Sequence, residues 1–429
     1  MKTVNLALAA ILVAASSAAR AAEPKDANGF VARGFEKHIK GDQDGALSDL
    51  DKAISLDPKS VEAYYDRANT KVSKDDYAGA IADYSKAADL YPAEGGPAHP
   101  KRSAVYLSRA QAKNLSRDYA GAIADYEKVL ELDPKNTRAY FQLADLHSLK
   151  RDYPAAIAAY GKAIELDPKN AFAYSGRGIV QAAQGNQDAA ISDFDKALSL
   201  DAKSANVYMS RADAKATKGD REGAIADYDK AISLEPAAAL DYVFRGRAKG
   251  SFGDSAGAIA DYNKALELDP KNALAHVYRA TERYDQQAWK EALEDYRAVC
   301  TLTPDHQSYA RLRIWLIRAR TGERKQADAE LEEYLSQKTA QSQDWLSNVG
   351  RYLLGKTSED EMFKAAAAPD AETAKAHQVV AYFFAGSKRL VDGDKTGAAD
   401  LFKKSVAVDL KGKQSYRSAQ AELKRLQGV

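Results

Sequence analysis

Gly79-Ala80-Ile81-Ala82-Asp83 is the stretch that decides the fold, because nearly the same five residues recur along the chain. Its copies include Gly45-Ala46-Leu47-Ser48-Asp49 and Gly121-Ala122-Ile123-Ala124-Asp125, and the alanine of this phrase returns at Ala156, Ala190, Ala224, Ala258 and Ala292. Successive alanines lie 34 residues apart, except for 42 residues between Ala80 and Ala122. A constant period of this length indicates stacked helical hairpins rather than unrelated domains.

Placing this alanine at position 20 of each repeat aligns eight copies, which begin at Ala27, Val61, Ser103, Thr137, Ala171, Ala205, Ala239 and Ala273. Position 8 is always Gly or Ala, position 27 is Ala or Val, and position 24 is aromatic in seven copies. Small residues allow two helices to approach closely, and the aromatic rings fill the space between hairpins. Seven of the 12 prolines fall at position 32, where they end the second helix.

This pattern of Tyr at 4, Gly or Ala at 8, Ala at 20, Tyr or Phe at 24, Ala at 27 and Pro at 32 resembles the tetratricopeptide repeat (TPR). The resemblance covers residues 27–304 as eight regular repeats, with an insertion near 92–100. It implies an all-α TPR solenoid of antiparallel helix hairpins that forms a right-handed superhelix. In such arrays the first helices line a concave groove.

Beyond Pro304 the pattern is less regular. Residues 305–340 are predicted to form a divergent ninth repeat, with Ala327 and Leu331 at positions 20 and 24. The remaining segments are predicted as intervening helices at 341–378, a returning TPR-like repeat at 379–410 with Tyr382, Gly386, Ala398 and Phe402, and a C-terminal capping helix at 411–429. The last helix would hide the final apolar face of the array.

The first residues have the features of a secretory signal peptide. Lys2 supplies a positive charge, an apolar run follows, and Ala19 and Ala21 give the small-x-small pattern that signal peptidase reads. We predict cleavage after Ala21, so that residues 1–21 are removed and residues 22–26 form a short N-terminal segment. The apolar run is too short to span a bilayer, and no cysteine lies near it. The sequence therefore predicts a periplasmic protein with no visible membrane anchor, and secretion is the alternative.

Two charged positions vary together among the repeats. Position 7 is Arg in seven repeats and position 23 is Asp in seven, whereas the fourth repeat has Leu143 and Ala159 in these slots. This joint loss predicts a structural ion pair between the two helices of a hairpin. The predicted pairs include Arg67 with Asp83, Arg211 with Asp227 and Arg245 with Asp261. An arginine ladder for an anionic ligand is the functional alternative.

Position 5 of the first helix carries the candidate peptide-binding residues. They are mostly apolar and expected on the concave side: Val31, Tyr65, Leu107, Phe141, Met209, Val243 and Val277, with Ser175 in the fifth repeat. Chaperone-tail receptors of this fold instead carry basic residues at position 5 and Asn at 9, but position 5 has no Lys or Arg here. An apolar groove for a peptide or helix is the better prediction, and packing between repeats is its structural alternative.

Nothing in the sequence indicates a catalytic, cofactor or metal site. The six histidines show no metal-ligand spacing, no nucleophile elbow or phosphate loop is present, and Cys300 occupies a slot that is otherwise apolar. The 62 basic and 61 acidic residues balance, so no net field favours nucleic acid. The basic stretch from Arg311 to Lys325 is expected to be a solvated helix flank, with a binding surface as the alternative. We expect a binding protein and not an enzyme.

The tail also resembles one narrower family. Trp345-Leu346, Tyr352-Leu353-Leu354-Gly355-Lys356-Thr357-Ser358-Glu359-Asp360-Glu361, Ala381-Tyr382-Phe383-Phe384-Ala385-Gly386 and Asp392-Gly393-Asp394 resemble the C-terminal part of the bacterial new lipoprotein I family. That resemblance implies a periplasmic adaptor in the cell envelope, with peptidoglycan hydrolases or proteases as partners. This chain differs in lacking a lipidated cysteine and in carrying more repeats.

Two binding functions follow from these patterns. The first is an exported scaffold that binds proteins or peptides, and the second is a secreted scaffold that binds a glycan or assists polysaccharide export. The aromatic residues expected on the concave positions are Tyr65, Phe141, Phe172, Phe35 and Tyr284. They are too scattered along the array to trace a sugar path, which favours the first function.

Overall fold

The computed structural model describes residues 24–91, 102–304, 307–338, 344–410 and 413–428, and in these ranges it contains 23 α-helices and no β-strand. The all-α fold predicted from the sequence is thus confirmed. The predicted signal peptide at 1–21 and the predicted insertion at 92–100 lie outside the described residues. Among the helices of the described ranges, none combines the length and the hydropathy that crossing a membrane requires.

The chain divides into two compact units, of which the first ends at Gln184. The first unit contains nine helices in its described part: α1 Ala27–Ile39, α2 Gln43–Leu56, α3 Val61–Ser73, α4 Tyr77–Leu90, α5 Arg102–Leu115, α6 Tyr119–Leu132, α7 Thr137–Leu149, α8 Tyr153–Leu166 and α9 Ala171–Ala183. Each odd-numbered helix from α1 to α7 packs against the next helix as an antiparallel hairpin. These are the first and second helices of the predicted repeats.

The second unit begins at Gly185. Its helices in the regular array are α10 Gln187–Leu200, α11 Ala205–Lys218, α12 Arg221–Leu234, α13 Ala239–Ser251, α14 Ser255–Leu268, α15 Ala273–Asp285 and α16 Trp289–Leu302. They are followed by α17 Ser308–Arg320, α18 Arg324–Ser336, α19 Leu346–Leu353, α20 Glu359–Ala365, α21 Ala371–Val391, α22 Lys395–Ala407 and α23 Gln414–Gln427. The boundary predicted at 378/379, between the intervening helices and the returning repeat, lies inside α21. This helix begins at Ala371, directly after its N-cap residue Asp370.

An aspartate at position 16 starts most of the second helices and explains the recurring glycine. The Asp76 carboxylate accepts a hydrogen bond from the Gly79 N–H at 2.9 Å, which satisfies one of the free amides at the helix start. A Cβ on Gly79 would lie 2.2 Å from Asp76 Oδ2. In the fourth repeat Ala155 occupies the glycine slot, and its bond to Asp152 is longer, at 3.3 Å. The glycine therefore permits the shorter capping bond.

The core of each hairpin is built from the small and aromatic slots. In the second repeat Ala68, Ala80, Tyr84 and Ala87 are almost completely buried. The Tyr84 hydroxyl donates to Asn69 Oδ1 at 2.6 Å, so the polar end of the ring is satisfied on the first helix. The repeated pattern thus corresponds to one repeated packing unit.

The basic stretch at Arg311 to Lys325 was expected to be a solvated flank, and that expectation is wrong for Arg313 and Arg318, which are buried, whereas Lys325 is exposed. Residues Leu312 to Arg318 of α17 are all buried. The Arg313 guanidinium carbon lies 4.3 Å from the Phe383 ring centre and 4.6 Å from that of Tyr284. The later helices α21 and α23 pack over α17 and enclose Arg313, which the linear charge pattern could not predict.

Candidate functional site

An open cleft of about 680 Å³ lies on the first helices of the first three repeats. Val31 of α1, Tyr65 of α3 and Leu107 of α5 line it, so the structure brings three of the seven predicted groove residues together. Phe35, also on the lining, is 47% exposed. Large apolar side chains concentrated at a concave surface are typical of binding sites.

Tyr65 is held by contacts with two neighbouring helices, through its ring on α4 and through its hydroxyl on α5. Its ring packs at a tilt against Tyr84, with the ring centres 5.7 Å apart. Its hydroxyl lies 3.1 Å from the Ser108 hydroxyl of α5. These contacts limit the side-chain freedom that a ligand would otherwise have to remove on binding.

The remaining position-5 residues do not extend this surface evenly. Val243 is completely buried and Met209 is only 8% exposed, as is Val31 at the cleft floor. Phe141 is half-buried with its ring edge on Tyr160, and Val277 packs beside the C-terminal core. The expectation of one exposed apolar column is therefore corrected. Met209 packs in one core with Ala248, and Val243 packs in another with Ala275. In both cases the first helix of the following repeat covers the position-5 side chain.

The peptide-groove prediction was limited to position 5, but apolar residues at positions 2 and 9 are also exposed, including Phe35 and Phe172, which the sequence had indicated only as concave aromatic residues. In the first unit Phe35 and Ile179 occupy position 9, and Phe172 at position 2 is 75% exposed. In the second unit Leu240 and Leu274 at position 2 are each 47% exposed. Most other repeats carry smaller or polar residues in these two slots, so a comparison of slots 2 and 9 would also have revealed Ile179, Leu240 and Leu274.

Two carboxylates of α3 give the cleft an acidic character. Glu62 and Asp66 are four residues apart, so they lie on one face of the helix, and both line the cleft. Burial raises the pKa of Asp66 to about 7, the negative charge of Glu62 adds to this effect, and a hydrogen bond with Asn69 opposes it. No Lys or Arg is among the described residues that line the cleft.

The structure joins Arg67 to Asp83 through two hydrogen bonds of 2.6 and 2.8 Å between the helices of the second hairpin. It joins Arg211 to Asp227 and Arg245 to Asp261 in the same bidentate manner. Each aspartate also contacts a lysine at position 11, which the sequence argument did not include: Lys71, Lys215 and Lys249. These arginines are engaged by their own hairpins, which disfavours an arginine ladder for an anionic ligand.

Other candidate chemistry is sparse in the described ranges. No group of three His, Cys, Asp or Glu side chains there is arranged to hold a metal ion. Cys300 is partly buried against the C-terminal core, and burial raises the pKa of its thiol. A thiol with a raised pKa is a poor nucleophile at neutral pH.

Three family models match the chain. A model described as "TPR repeat" matches residues 117–151 and 150–185, and two described as "Tetratricopeptide repeat" match 40–95 with 245–306 and 173–204 with 205–237. Together these matches cover more than half of the chain and fall on the regular array. The repeat type predicted from the sequence is confirmed.

Solved structures of the same repeat class are similar to this chain. The C-terminal part of a TPR repeat-containing protein from Cytophaga hutchinsonii is 20% identical with a TM-score of 0.50, and the match covers 57% of this chain and 97% of that one. A tetratricopeptide repeat protein from Parabacteroides merdae is 21% identical with a TM-score of 0.48, covering 57% and 93%. The MamA protein is 29% identical with a TM-score of 0.38, covering 40% and 93%. The comparison with curated proteins gave no match.

Proposed function

This chain is a tetratricopeptide repeat protein, and we propose that it is an exported scaffold that binds a protein or peptide segment in the cleft of α1, α3 and α5. The observation that carries the proposal is the grouping of Phe35, Tyr65 and Leu107 in one concave cleft. Each half-exposed apolar side chain would contribute roughly 1 kcal/mol when a partner covers it. A micromolar complex requires about 8 kcal/mol, so the partner must also contact the polar lining.

The proposed setting is the bacterial cell envelope, where the protein would act as an adaptor. The signal-peptide features of residues 1–21 support export. The resemblance of the tail to the new lipoprotein I family supports peptidoglycan hydrolases or proteases as partners, and it rests on the residues of the tail alone.

Affinity capture from envelope extract tests this proposal. The chain from Ala22 onward would be compared with the double variant Phe35→Ala/Leu107→Ala. A matched control is Leu56→Ala/Leu132→Ala, because both leucines are about half exposed and neither is a lining residue of the cleft. We expect the cleft variant to lose a protein partner that the control retains, with circular dichroism unchanged in both.

Two results would contradict the proposal. Retention of every partner by the cleft variant would place binding elsewhere on the chain. Recovery of peptidoglycan or polysaccharide, with no protein that depends on the cleft, would favour the glycan-binding scaffold instead.

A further inference from the structure

The acidic residues of the cleft lack the cationic partners that two other acidic residues of first helices have. Asp213 of α11 is bound by Arg247 of the next repeat at 2.6 Å, and Glu282 of α15 is bound by Arg417. Neither Glu62 nor Asp66 lies within 4.0 Å of a basic side chain in the described part of the chain. Asp66 is also partly removed from water, so its ionised form has lost hydration without gaining a counter-charge.

The second unit contains an example of what such residues bind. The C-terminal helix α23 packs against the first helix α15. Its Arg417 contacts the carboxylate of Glu282, which is 1% exposed, and its Arg425 contacts the Asp285 carbonyl oxygen. A Cβ added to Gly250 of α13 would lie 2.8 Å from Arg417 Nη2, so the preceding first helix also approaches α23. Within this chain, a basic helix is therefore held on a first helix by the Glu282 carboxylate and by the Asp285 backbone carbonyl.

The dimensions of the cleft suit a short helix. It spans α1, α3 and α5, and neighbouring packed helices are spaced about 8–10 Å apart, so the three helices extend over roughly 20 Å. A helix of the length of α23, which has 14 residues, is about 21 Å long. Apolar side chains on one face of such a helix would cover Phe35, Tyr65 and Leu107.

We infer that the cleft binds an amphipathic helix of a partner protein, with apolar residues on one face and Lys or Arg beside that face, directed at Glu62 and Asp66. This inference rests on the proposed function, because it names the chemistry of the partner for the same site. A basic side chain would restore a counter-charge to both carboxylates. The same two carboxylates disfavour acidic peptides through like-charge repulsion.

Three synthetic 14-residue helical peptides test the charge requirement. All three carry the same Leu face, and their flanks carry Lys, Gln or Glu. Binding to the chain from Ala22 onward is measured by fluorescence anisotropy at low ionic strength. We expect the Lys peptide to bind roughly tenfold more tightly than the Gln peptide and the Glu peptide to bind most weakly.

The variant Glu62→Gln/Asp66→Asn should remove the preference for the Lys peptide and leave the Gln peptide unchanged. The matched control is Glu127→Gln/Glu131→Gln, which removes the same charge from two exposed residues of α6, also four positions apart. Equal affinity of wild type for the Lys and Gln peptides would overturn the charge inference and leave the cleft as a peptide site. Failure of all three peptides to bind would overturn the cleft proposal as well.

Discussion

Arg67 and Asp83 form a bidentate ion pair that joins the two helices of the second hairpin, with Nη2 and Nε 2.6 and 2.8 Å from the two carboxylate oxygens. Asp83 is 5% exposed, so it depends on Arg67 and on Lys71 for its counter-charge. The same arrangement recurs at Arg211 and Asp227. The fourth repeat lacks both members, having Leu143 and Ala159, and still forms the hairpin of α7 and α8.

Removing one member of such a pair should cost more stability than removing both. Arg211→Leu leaves Asp227 buried with only Lys215 beside it, and we expect a loss of about 3 kcal/mol in the free energy of unfolding. Adding Asp227→Ala removes the stranded carboxylate, so the double variant should be about 1 kcal/mol more stable than Arg211→Leu. Urea unfolding monitored by circular dichroism measures both values. Strictly additive losses would show that the pair has no coupling.

Because ionisation of Asp66 is unfavourable in the folded protein, we predict that Asp66→Asn increases stability by an amount that depends on pH. The pKa of this carboxyl is raised to about 7, chiefly by burial, whereas the unfolded chain titrates near 3.8. Between these values the folded state binds the extra proton, so increasing pH destabilises the wild type until Asp66 is ionised in both states. We expect Asp66→Asn to raise Tm more at pH 8 than at pH 5.

Two titratable groups interact with Asp66, and one of them provides the control variant for the Tm measurement. Glu62 is the acidic neighbour that raises the Asp66 pKa, and Tyr84 is the titratable group of α4 that interacts with Asp66. The cleft residues that α1 and α5 contribute are not titratable. Glu62→Gln should therefore reduce the pH dependence of wild-type stability. An equal Tm difference for Asp66→Asn at both pH values would show that Asp66 has an ordinary pKa.

The C-terminal helix should stabilise the second unit through Arg417. Arg417→Ala leaves the Glu282 carboxylate, 1% exposed, without its cationic partner, and we expect a loss of about 3 kcal/mol. The matched control is Lys424→Ala on the same helix, where the side chain is exposed and the expected change is below about 0.5 kcal/mol. Thermal unfolding distinguishes the two variants. If Arg417→Ala and Lys424→Ala both lowered stability only slightly, the Glu282 carboxylate would have to be stabilised by groups other than Arg417.

Processing of the N-terminus tests the predicted export. In a Gram-negative host we expect the full chain to yield a periplasmic protein whose first residue is Ala22. Ala21→Tyr should block cleavage, because signal peptidase requires a small residue at that position, whereas Glu23→Gln should be processed normally. N-terminal sequencing and mass spectrometry give the readout. Cytoplasmic retention of the unprocessed wild type would contradict the prediction.

Some of these features follow from the sequence because TPR packing is local. The slots at 8, 20, 24 and 27 repeat every 34 residues, and each hairpin packs mainly on its neighbours, so periodicity alone predicts the fold. The fourth repeat replaces both charged residues, by Leu143 and Ala159. Because the two helices of a hairpin contact each other, this joint replacement identified the aspartate partners of Arg67 and Arg211 from the sequence. Lys71 was missed because the fourth repeat has His147 in that slot, a residue that is also basic when protonated.

The position of the cleft depended on tertiary structure. Val243 and Leu107 occupy the same slot, yet Val243 is covered by the next first helix and Leu107 lines an open cleft. Arg313 belongs to a run that is basic in the linear sequence, but α21 and α23 enclose it far from solvent. The sequence by itself determined the repeated hairpin, because its contacts lie within about one period. Only the tertiary structure decided which slots are exposed and which are buried, because this depends on how closely other helices pack against each slot.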